Sequence, residues 1–174
     1  MTNIIVSHFG QAAPMIAGAA LLIFAALHDI AARTIPNFVS VLLGLLGIGL
    51  NFGSGQLGTS MLLGALVFVV CTACWLRGWM GGGDVKLLTA AALFVPPAAV
   101  GAMVVSTTMF GGVVGVIYLI ARMIARRVAF IPRRPPHAFL ARVLRAEHWR
   151  LLRGAPLPYA SAIAAGTLFV IVSG

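Results

Sequence analysis

Acidic residues are the scarcest part of this sequence, with three among its 174 positions. Charged residues of both signs make up 9 % of the chain, against about a quarter in an ordinary soluble domain. The rest is strongly apolar, with 61 % hydrophobic residues and a mean hydropathy of +1.06. This composition excludes an ordinary soluble protein and predicts an all-α protein of the membrane, because so apolar a chain needs lipid or other helices around it.

Cysteine is also scarce, and its two copies predict neither a metal site nor a disulfide. Cys71 and Cys74 form a CxxC pair inside a long apolar stretch, where a four-ligand metal site would lack its other ligands. We interpret the two cysteines as small packing residues that lie one helical turn apart.

Six apolar segments reach or approach the length needed to cross a bilayer core, which takes about 17 to 25 residues. The fourth is the shortest, since Pro96 and Pro97 follow it, and this favours a short, tilted or re-entrant helix buried among its neighbours. The sequence thus predicts one membrane-embedded domain over residues 1–174 with about six transmembrane helices and a basic loop at 122–156. The predicted helices lie at residues 13–30, 36–52, 57–76, 85–95, 98–121 and 157–172.

The twelve basic residues occupy alternate connections between these segments. Arg33 lies in the first connection, Arg77 and Lys86 lie in the third, and nine arginines from Arg122 to Arg153 lie in the fifth. By the positive-inside rule these connections are cytoplasmic, so both termini are expected outside. The orientation of the chain in the membrane therefore accounts for the net charge of +9, and no nucleic acid partner is needed to explain it. Because no Lys or Arg precedes the first segment, we expect a mature helix there and not a cleaved signal peptide.

The basic loop contains a segment with helical spacing of its apolar residues. Between residues 137 and 154, four leucines and Val143 recur at helical spacing with arginines between them, which is typical of a helix lying on anionic inner-leaflet lipids. A solvated helix with one apolar stripe packed on the protein is an equal alternative. Glu147, one of the three acids, is interpreted as part of this surface.

Asp29 and Asp84 are the two acids at the ends of apolar segments. Asp29 ends the first segment and Asp84 precedes the fourth, so the predicted topology places both at the cytoplasmic face. Carboxylates cost about 2.5 to 3.5 kcal/mol at the centre of a membrane helix, which makes them functional candidates. Two close carboxylates share a proton, and this is the chemistry of an aspartic protease. The structural alternatives are an ion pair of Asp29 with Arg33 and an N-cap role for Asp84.

Three short segments carry a family resemblance. Residues 28–37, HDIAARTIPN, hold Asp29, and residues 81–86, GGGDVK, hold Asp84 in a GxGD motif followed by a lysine. Residues 156–166, PLPYASAIAAG, open the last apolar segment with a Pro-Tyr pair. The chain resembles the type IV prepilin peptidases over essentially its whole length, in the order and spacing of these segments and in the six-helix frame.

The resemblance implies an intramembrane aspartic endopeptidase that removes the leader of prepilins or pseudopilins at the cytoplasmic face of a bacterial inner membrane. Asp29 and Asp84 would be its catalytic residues, without metal or cofactor. Gly81, Gly82 and Gly83 would let a substrate backbone approach Asp84, or they form a flexible loop. Further candidates for shaping the site or contacting substrate, each with a structural alternative, are Arg33, Pro36, Asn37, Lys86, Pro158 and Tyr159.

The chain also departs from the family pattern. Larger members carry an N-terminal cytoplasmic region with two CxxC pairs and methylate the new N-terminus using S-adenosylmethionine. About a dozen residues precede the first apolar segment here, so neither zinc nor methyltransferase activity is expected. The compact form resembles the peptidases of Flp (Tad) pilus systems, which indicates a small Flp-type pilin substrate.

Three alternatives remain open on the sequence. A small proton-coupled transporter would use two intramembrane carboxylates for proton transfer. A non-catalytic membrane subunit of a pilus or secretion machine would use the basic loop as a docking surface. Another GxGD protease, of the signal peptide peptidase or presenilin kind, would have more helices and a Tyr-Asp pair where this chain has His28 and Asp29.

Overall fold

The computed structural model describes residues 2–127 and 159–173, with the surroundings of the side chains given for 12–124 and 159–173. Every regular element among these residues is helical, which confirms the predicted all-α fold class. A one-turn 3-10 helix, Pro97–Ala99, precedes the fifth helix. The described residues form six α-helices, which are α1 (Thr2–Ala32), α2 (Asn37–Gly53), α3 (Leu57–Leu76), α4 (Gly82–Phe94), α5 (Val100–Arg127) and α6 (Tyr159–Ser173).

Three helical stretches are long and apolar enough to cross a membrane, namely Ala12–Ala32, Leu57–Leu76 and Pro97–Ile124. The helices α2 and α6 are also apolar but shorter, with 17 and 15 residues. The 13 residues of α4 extend about 20 Å, which is less than the ~30 Å of a bilayer core. The chain is therefore a membrane protein, and its described part contains three helices of spanning length.

The chain forms two compact units. The first contains residues up to Phe110 together with α6, and the second begins at Gly111 within α5. The described part of the second unit is the remainder of α5, as far as Arg127. The predicted amphipathic segment at residues 137–154 lies outside the described residues.

The short helix α4 lies at the centre of the first unit. It packs against α2, α3 and α6. A helix that is apolar on all sides is stable only when neighbours surround it, and α4 has this character. Its buried residues are Val85, Leu87, Leu88, Ala90, Ala91, Ala92 and Phe94.

The C-terminal end of α4 is held by close contact with α2. A Cβ atom added at Gly47 would collide with the carbonyl group of Leu93 and would lie 2.6 Å from Cα of Phe94. The missing side chain at Gly47 therefore lets the two helix backbones approach each other directly. Asn51 Nδ2 donates a hydrogen bond to the Leu93 carbonyl oxygen at 2.9 Å. This bond satisfies one of the carbonyl groups that the end of a helix leaves unpaired.

The connection between α1 and α2 is short and locally fixed. Arg33, directly after α1, has a left-handed backbone with φ of 56°, and its N–H donates to the Asp29 carbonyl oxygen at 2.8 Å. His28 Nδ1 donates to the Thr34 carbonyl oxygen at 2.7 Å. Pro36 has an extended backbone and is the N-cap residue of α2. These contacts hold the end of α1, including Asp29, beside the start of α2.

Candidate active site

Asp29 lies in the last turn of α1 and is only 7 % exposed. The backbone N–H of Ala160, at the start of α6, donates a hydrogen bond to its Oδ2 atom at 3.3 Å. The first N–H groups of a helix lack partners within the helix and carry partial positive charge, so they stabilise a carboxylate placed there. The packing of α6 against α1 therefore builds one side of the Asp29 site.

Asp84 is the third residue of α4 and is half-buried. The N-cap of the helix is Gly81, which places the helix start before Asp84. The N-cap role considered for Asp84 is therefore wrong. Its carboxylate instead accepts a hydrogen bond from the backbone N–H of Gly81. An acid at the third helical position that reaches back to the N-cap is one half of a capping box, and this contact fixes the direction of the Asp84 side chain.

The structure brings Asp29 and Asp84 close enough for their charges to interact. Asp84 stands before the apolar stretch that begins at Val85 and outside the three stretches of spanning length. The net effect of its surroundings raises the pKa of Asp84 to about 6. Burial is the largest cause, the neighbouring Asp29 carboxylate raises the pKa further, and the hydrogen bond from Gly81 opposes both. The two acids that the sequence singled out are thus neighbours in the fold, and at least one of them holds its proton more tightly than an exposed aspartate does.

The start of α4 lies against the connection between α1 and α2. A Cβ atom at Gly83 would meet Cβ of Ile35 at 3.4 Å, which is van der Waals contact. On the same side, Lys86 Nζ donates a hydrogen bond to Oδ1 of Asn37 at 3.0 Å. The fold therefore pairs two of the predicted site residues, Lys86 and Asn37, across the starts of α4 and α2.

The remaining predicted site residues are spread around this pair of acids. Arg33 follows α1 and is half-buried, and Tyr159 is the half-buried first residue of α6, next to Ala160. Pro158 lies outside the described residues. Residues 2–127 and 159–173 contain no cluster of three or more His, Cys, Asp or Glu side chains that would hold a metal ion. Cys71 and Cys74 are free thiols.

The model of the type IV leader peptidase family matches residues 16–120 of this chain. The chain belongs to the type IV leader peptidase family. The match covers more than half of the sequence and spans both Asp29 and Asp84, whereas α6 lies beyond it. Membership of this leader peptidase family makes the protein a peptidase of the membrane. No curated protein and no solved structure matches the chain.

One part of this candidate site could not be predicted from the types of residue in the sequence. The Ala160 group that contacts Asp29 is a backbone N–H, and any residue except proline at that position of α6 would supply it. The only available signal is the apolar segment that starts near residue 157, because a helix start always presents such donors.

Gly81 offers a test of how Asp84 is held. A Cβ atom at Gly81 would lie 2.9 Å from Asp84 Oδ2, so Gly81→Ala is expected to displace the carboxylate. We expect peptidase activity to fall by up to about 10²-fold, because a catalytic group displaced by about 1 Å loses that much rate. Gly82→Ala is the matched control, since a Cβ there meets only the Trp75 ring at 3.4 Å or more. Equal activity of the two variants, measured by cleavage of a substrate prepilin, would rule out this role of Gly81.

Proposed function

We propose that this leader peptidase is an intramembrane aspartic endopeptidase that removes the leader of a Flp-type prepilin at the cytoplasmic face of a bacterial inner membrane. The observation that carries the proposal is the electrostatic contact between Asp29 and Asp84. Each acid comes from a segment that resembles a catalytic segment of the prepilin peptidases, and the family match spans both.

The contacts of the two carboxylates favour a division of roles. Asp29 accepts a backbone hydrogen bond at a helix start, which stabilises its charged form and suits a general base. Asp84 has a raised pKa, which suits a general acid that still holds its proton. In the proposed first step Asp29 takes a proton from water while the water oxygen bonds to the carbonyl carbon of the substrate. Asp84 gives its proton to the carbonyl oxygen, and a tetrahedral intermediate forms.

Collapse of this intermediate completes the proposed reaction. The carbonyl double bond reforms, the C–N bond breaks, and Asp29 gives its proton to the leaving nitrogen. Asp84 recovers its proton from the hydroxyl group that becomes the new carbonyl oxygen. The products are the free leader, ending in a carboxyl group, and the mature pilin, beginning with an amine. Both carboxyl groups return to their starting states, so the cycle needs neither metal nor cofactor.

The proposed orientation places the α1–α2 and α3–α4 connections in the cytoplasm and both termini outside. Arg33 and Arg77 in these connections, and Lys86 near the start of α4, support it through the positive-inside rule. A reporter enzyme fused after Gly154 is expected to behave as cytoplasmic, and one fused at the C-terminus as periplasmic. The reverse result for either fusion would contradict the placement of the site at the cytoplasmic face.

Co-expression with a candidate Flp-type prepilin tests the proposed activity. The wild-type protein is expected to convert the prepilin to a shorter form on a gel, and mass spectrometry of that form locates the cleaved bond before the apolar segment. If the Flp-type prepilin stayed unprocessed in this experiment, the proposed substrate would be contradicted. A protein that lacks peptidase activity but transports protons would favour the transporter alternative.

A further inference from the structure

The start of α4, which carries Asp84, is weak as an isolated helix. Gly81 is its N-cap, and Gly82 and Gly83 are its first two residues. Glycine is a poor helix former, because its backbone loses more conformational freedom than that of other residues when it is ordered. The whole helix has 13 residues, a length at which isolated helices are barely stable. The position of Asp84 therefore depends on contacts between the start of α4 and the rest of the fold.

A side-chain hydrogen bond joins this part of α4 to α2. Lys86 Nζ donates to Oδ1 of Asn37 at 3.0 Å, and Asn37 is the first residue of α2. At the other end of the two helices, Asn51 of α2 donates to the carbonyl oxygen of Leu93 in α4 at 2.9 Å. Helix α4 thus lies alongside α2 and is bonded to it near its start and at its end.

Helix α2 also connects α4 to the helix that carries the other acid. Among the described residues, α1 packs chiefly against α2 and α6, and α4 packs against α2, α3 and α6. The relative position of the two acids is therefore set through α2 and α6. On the α2 side, hydrogen bonds from Arg33 N–H and His28 Nδ1 fix the connection that leads from Asp29 to Asn37. The bond that Asn37 accepts from Lys86 continues this connection to α4.

Lys86 is placed to act on Asp84 through the helix and not by contact. Residues two apart on a helix point about 200° away from each other, since 3.6 residues complete one turn. Lys86 faces α2, where it bonds to Asn37, so Asp84 lies on a different side of α4. A hydrogen bond from an ammonium group is stronger than one between neutral groups, which suits it to hold the start of a helix.

We propose that Lys86 and Asn37 are a positioning pair, which fixes the start of α4 against α2 and so holds Asp84 in place beside Asp29. The inference rests on the proposed function, because it concerns the placement of the proposed catalytic acid. Without the pair, the start of α4 is held only by its own backbone bonds and by packing. Because the pair acts on the chemical step, its loss lowers kcat and leaves KM unchanged.

Kinetics of prepilin cleavage, at matched levels of folded enzyme, test the pair. Asn37→Leu removes the acceptor and is expected to lower kcat by about 10-fold, and by no more than the ~10²-fold that a displacement of about 1 Å costs. Lys86→Met removes the donor and is expected to have a similar effect. In the double variant, kcat is expected to match that of the slower single variant, because both changes break the same bond. Two reductions that multiply would overturn the pair.

Two further variants separate the hydrogen bond from packing and from charge. Asn37→Asp keeps an acceptor oxygen for Lys86 and is expected to keep kcat close to that of the wild type. Ser40→Ala, one turn further along α2, removes a buried hydroxyl without a hydrogen-bond partner among the described residues, so kcat is expected to stay unchanged. The role of the bond is overturned if Asn37→Asp or Ser40→Ala is as slow as Asn37→Leu. It is also overturned if Asn37→Leu keeps the wild-type kcat, since Lys86 would then act through its charge alone.

Carbon-13 NMR of the Asp84 carboxyl group tests the positioning without a substrate. Asn37→Leu changes no charge, so it affects Asp84 only by moving or exposing the start of α4 or by releasing Lys86. The pKa of Asp84 is expected to fall toward the ordinary value in Asn37→Leu, because burial is the largest cause of its raised value. The same pKa in Asn37→Leu and in the wild type would overturn the positioning pair.

The outcomes separate the pair from the activity. A wild type that processes the prepilin, with an Asn37→Leu variant of equal kcat and equal pKa of Asp84, overturns the pair and leaves the proposed function intact. A wild type that processes no prepilin overturns the proposed function, and the pKa of Asp84 in Asn37→Leu still decides whether the pair holds this carboxyl group in place.

Discussion

Replacing either Asp29 or Asp84 by asparagine is expected to lower the rate of leader cleavage by about 10²- to 10⁴-fold, the range for loss of general acid or base catalysis. Asparagine keeps the shape of the side chain but neither takes nor gives a carboxyl proton. Its amide oxygen still accepts the hydrogen bond that Ala160 N–H donates at position 29, so the fold is expected to persist. The ratio of prepilin to mature pilin on a gel, at matched levels of folded enzyme, measures the effect.

Glu147→Gln is the control for charge, because Glu147 is the remaining acidic residue of the sequence. The variant removes the same charge from outside the proposed pair, and its processing is expected to match the wild type. Near wild-type processing by Asp29→Asn or Asp84→Asn would contradict the assignment of that aspartate to catalysis.

The substitution Gly47→Ala is expected to destabilise the fold by about 1 to 3 kcal/mol or more, the range for overpacking of a close-packed interior. The added methyl group would collide with backbone atoms of Leu93 and Phe94, which cannot rotate away as a side chain would. Helix α4 would have to move from α2, and Asn51 would lose its hydrogen bond to Leu93. The change in unfolding free energy is measured by thermal or denaturant unfolding of the protein in detergent.

Gly49→Ala is the matched control on the same helix. A Cβ atom at Gly49 has no neighbour within 4 Å, and alanine favours a helix over glycine by about 1 kcal/mol. This variant is therefore expected to be as stable as the wild type or slightly more stable. If Gly47→Ala unfolded at the same temperature as Gly49→Ala, the direct backbone contact between α2 and α4 would be contradicted.

Hydropathy predicted the bounds of a helix well where its run of apolar residues and its backbone hydrogen bonds end at nearly the same positions. The predicted segment 57–76 and α3 have the same bounds, and α2 and α6 differ from their predictions by one or two residues. Two helices extend further than predicted, since α1 begins at Thr2 and α5 ends at Arg127. Hydropathy detects the lipid-compatible part of a helix, whereas polar and basic residues continue the same hydrogen-bond pattern beyond it.

The start of α4 was predicted three residues too late because its glycines were interpreted as a turn or loop. Gly82 and Gly83 are helical, and Gly81 caps the helix. Glycine is a poor helix former, but here the hydrogen bond from Gly81 to Asp84 favours the helical start. The interpretation of Asp84 as the N-cap failed for the same reason.

The proximity of Asp29 and Asp84 was predictable, but their surroundings were not. The alternation of charge along the chain predicted that Asp29 and Asp84 lie at the same level. It contains no information on the contact between Lys86 and Asn37 or on the N–H of Ala160, because both depend on how α4 and α6 pack against the first two helices.

The central claim is that Asp29 and Asp84 act as one coupled pair, and carbon-13 NMR of the aspartate carboxyl groups tests it most directly. The sequence contains only these two aspartates, so labelling gives two signals, which the Asn variants assign. We expect Asp84 to lose its proton as the pH rises through about 6, well above the value of about 3.9 for an ordinary aspartate. In Asp29→Asn the pKa of Asp84 is expected to fall but to stay above the ordinary value, because burial is the larger cause. An identical pKa of Asp84 with and without the Asp29 charge would contradict the pair.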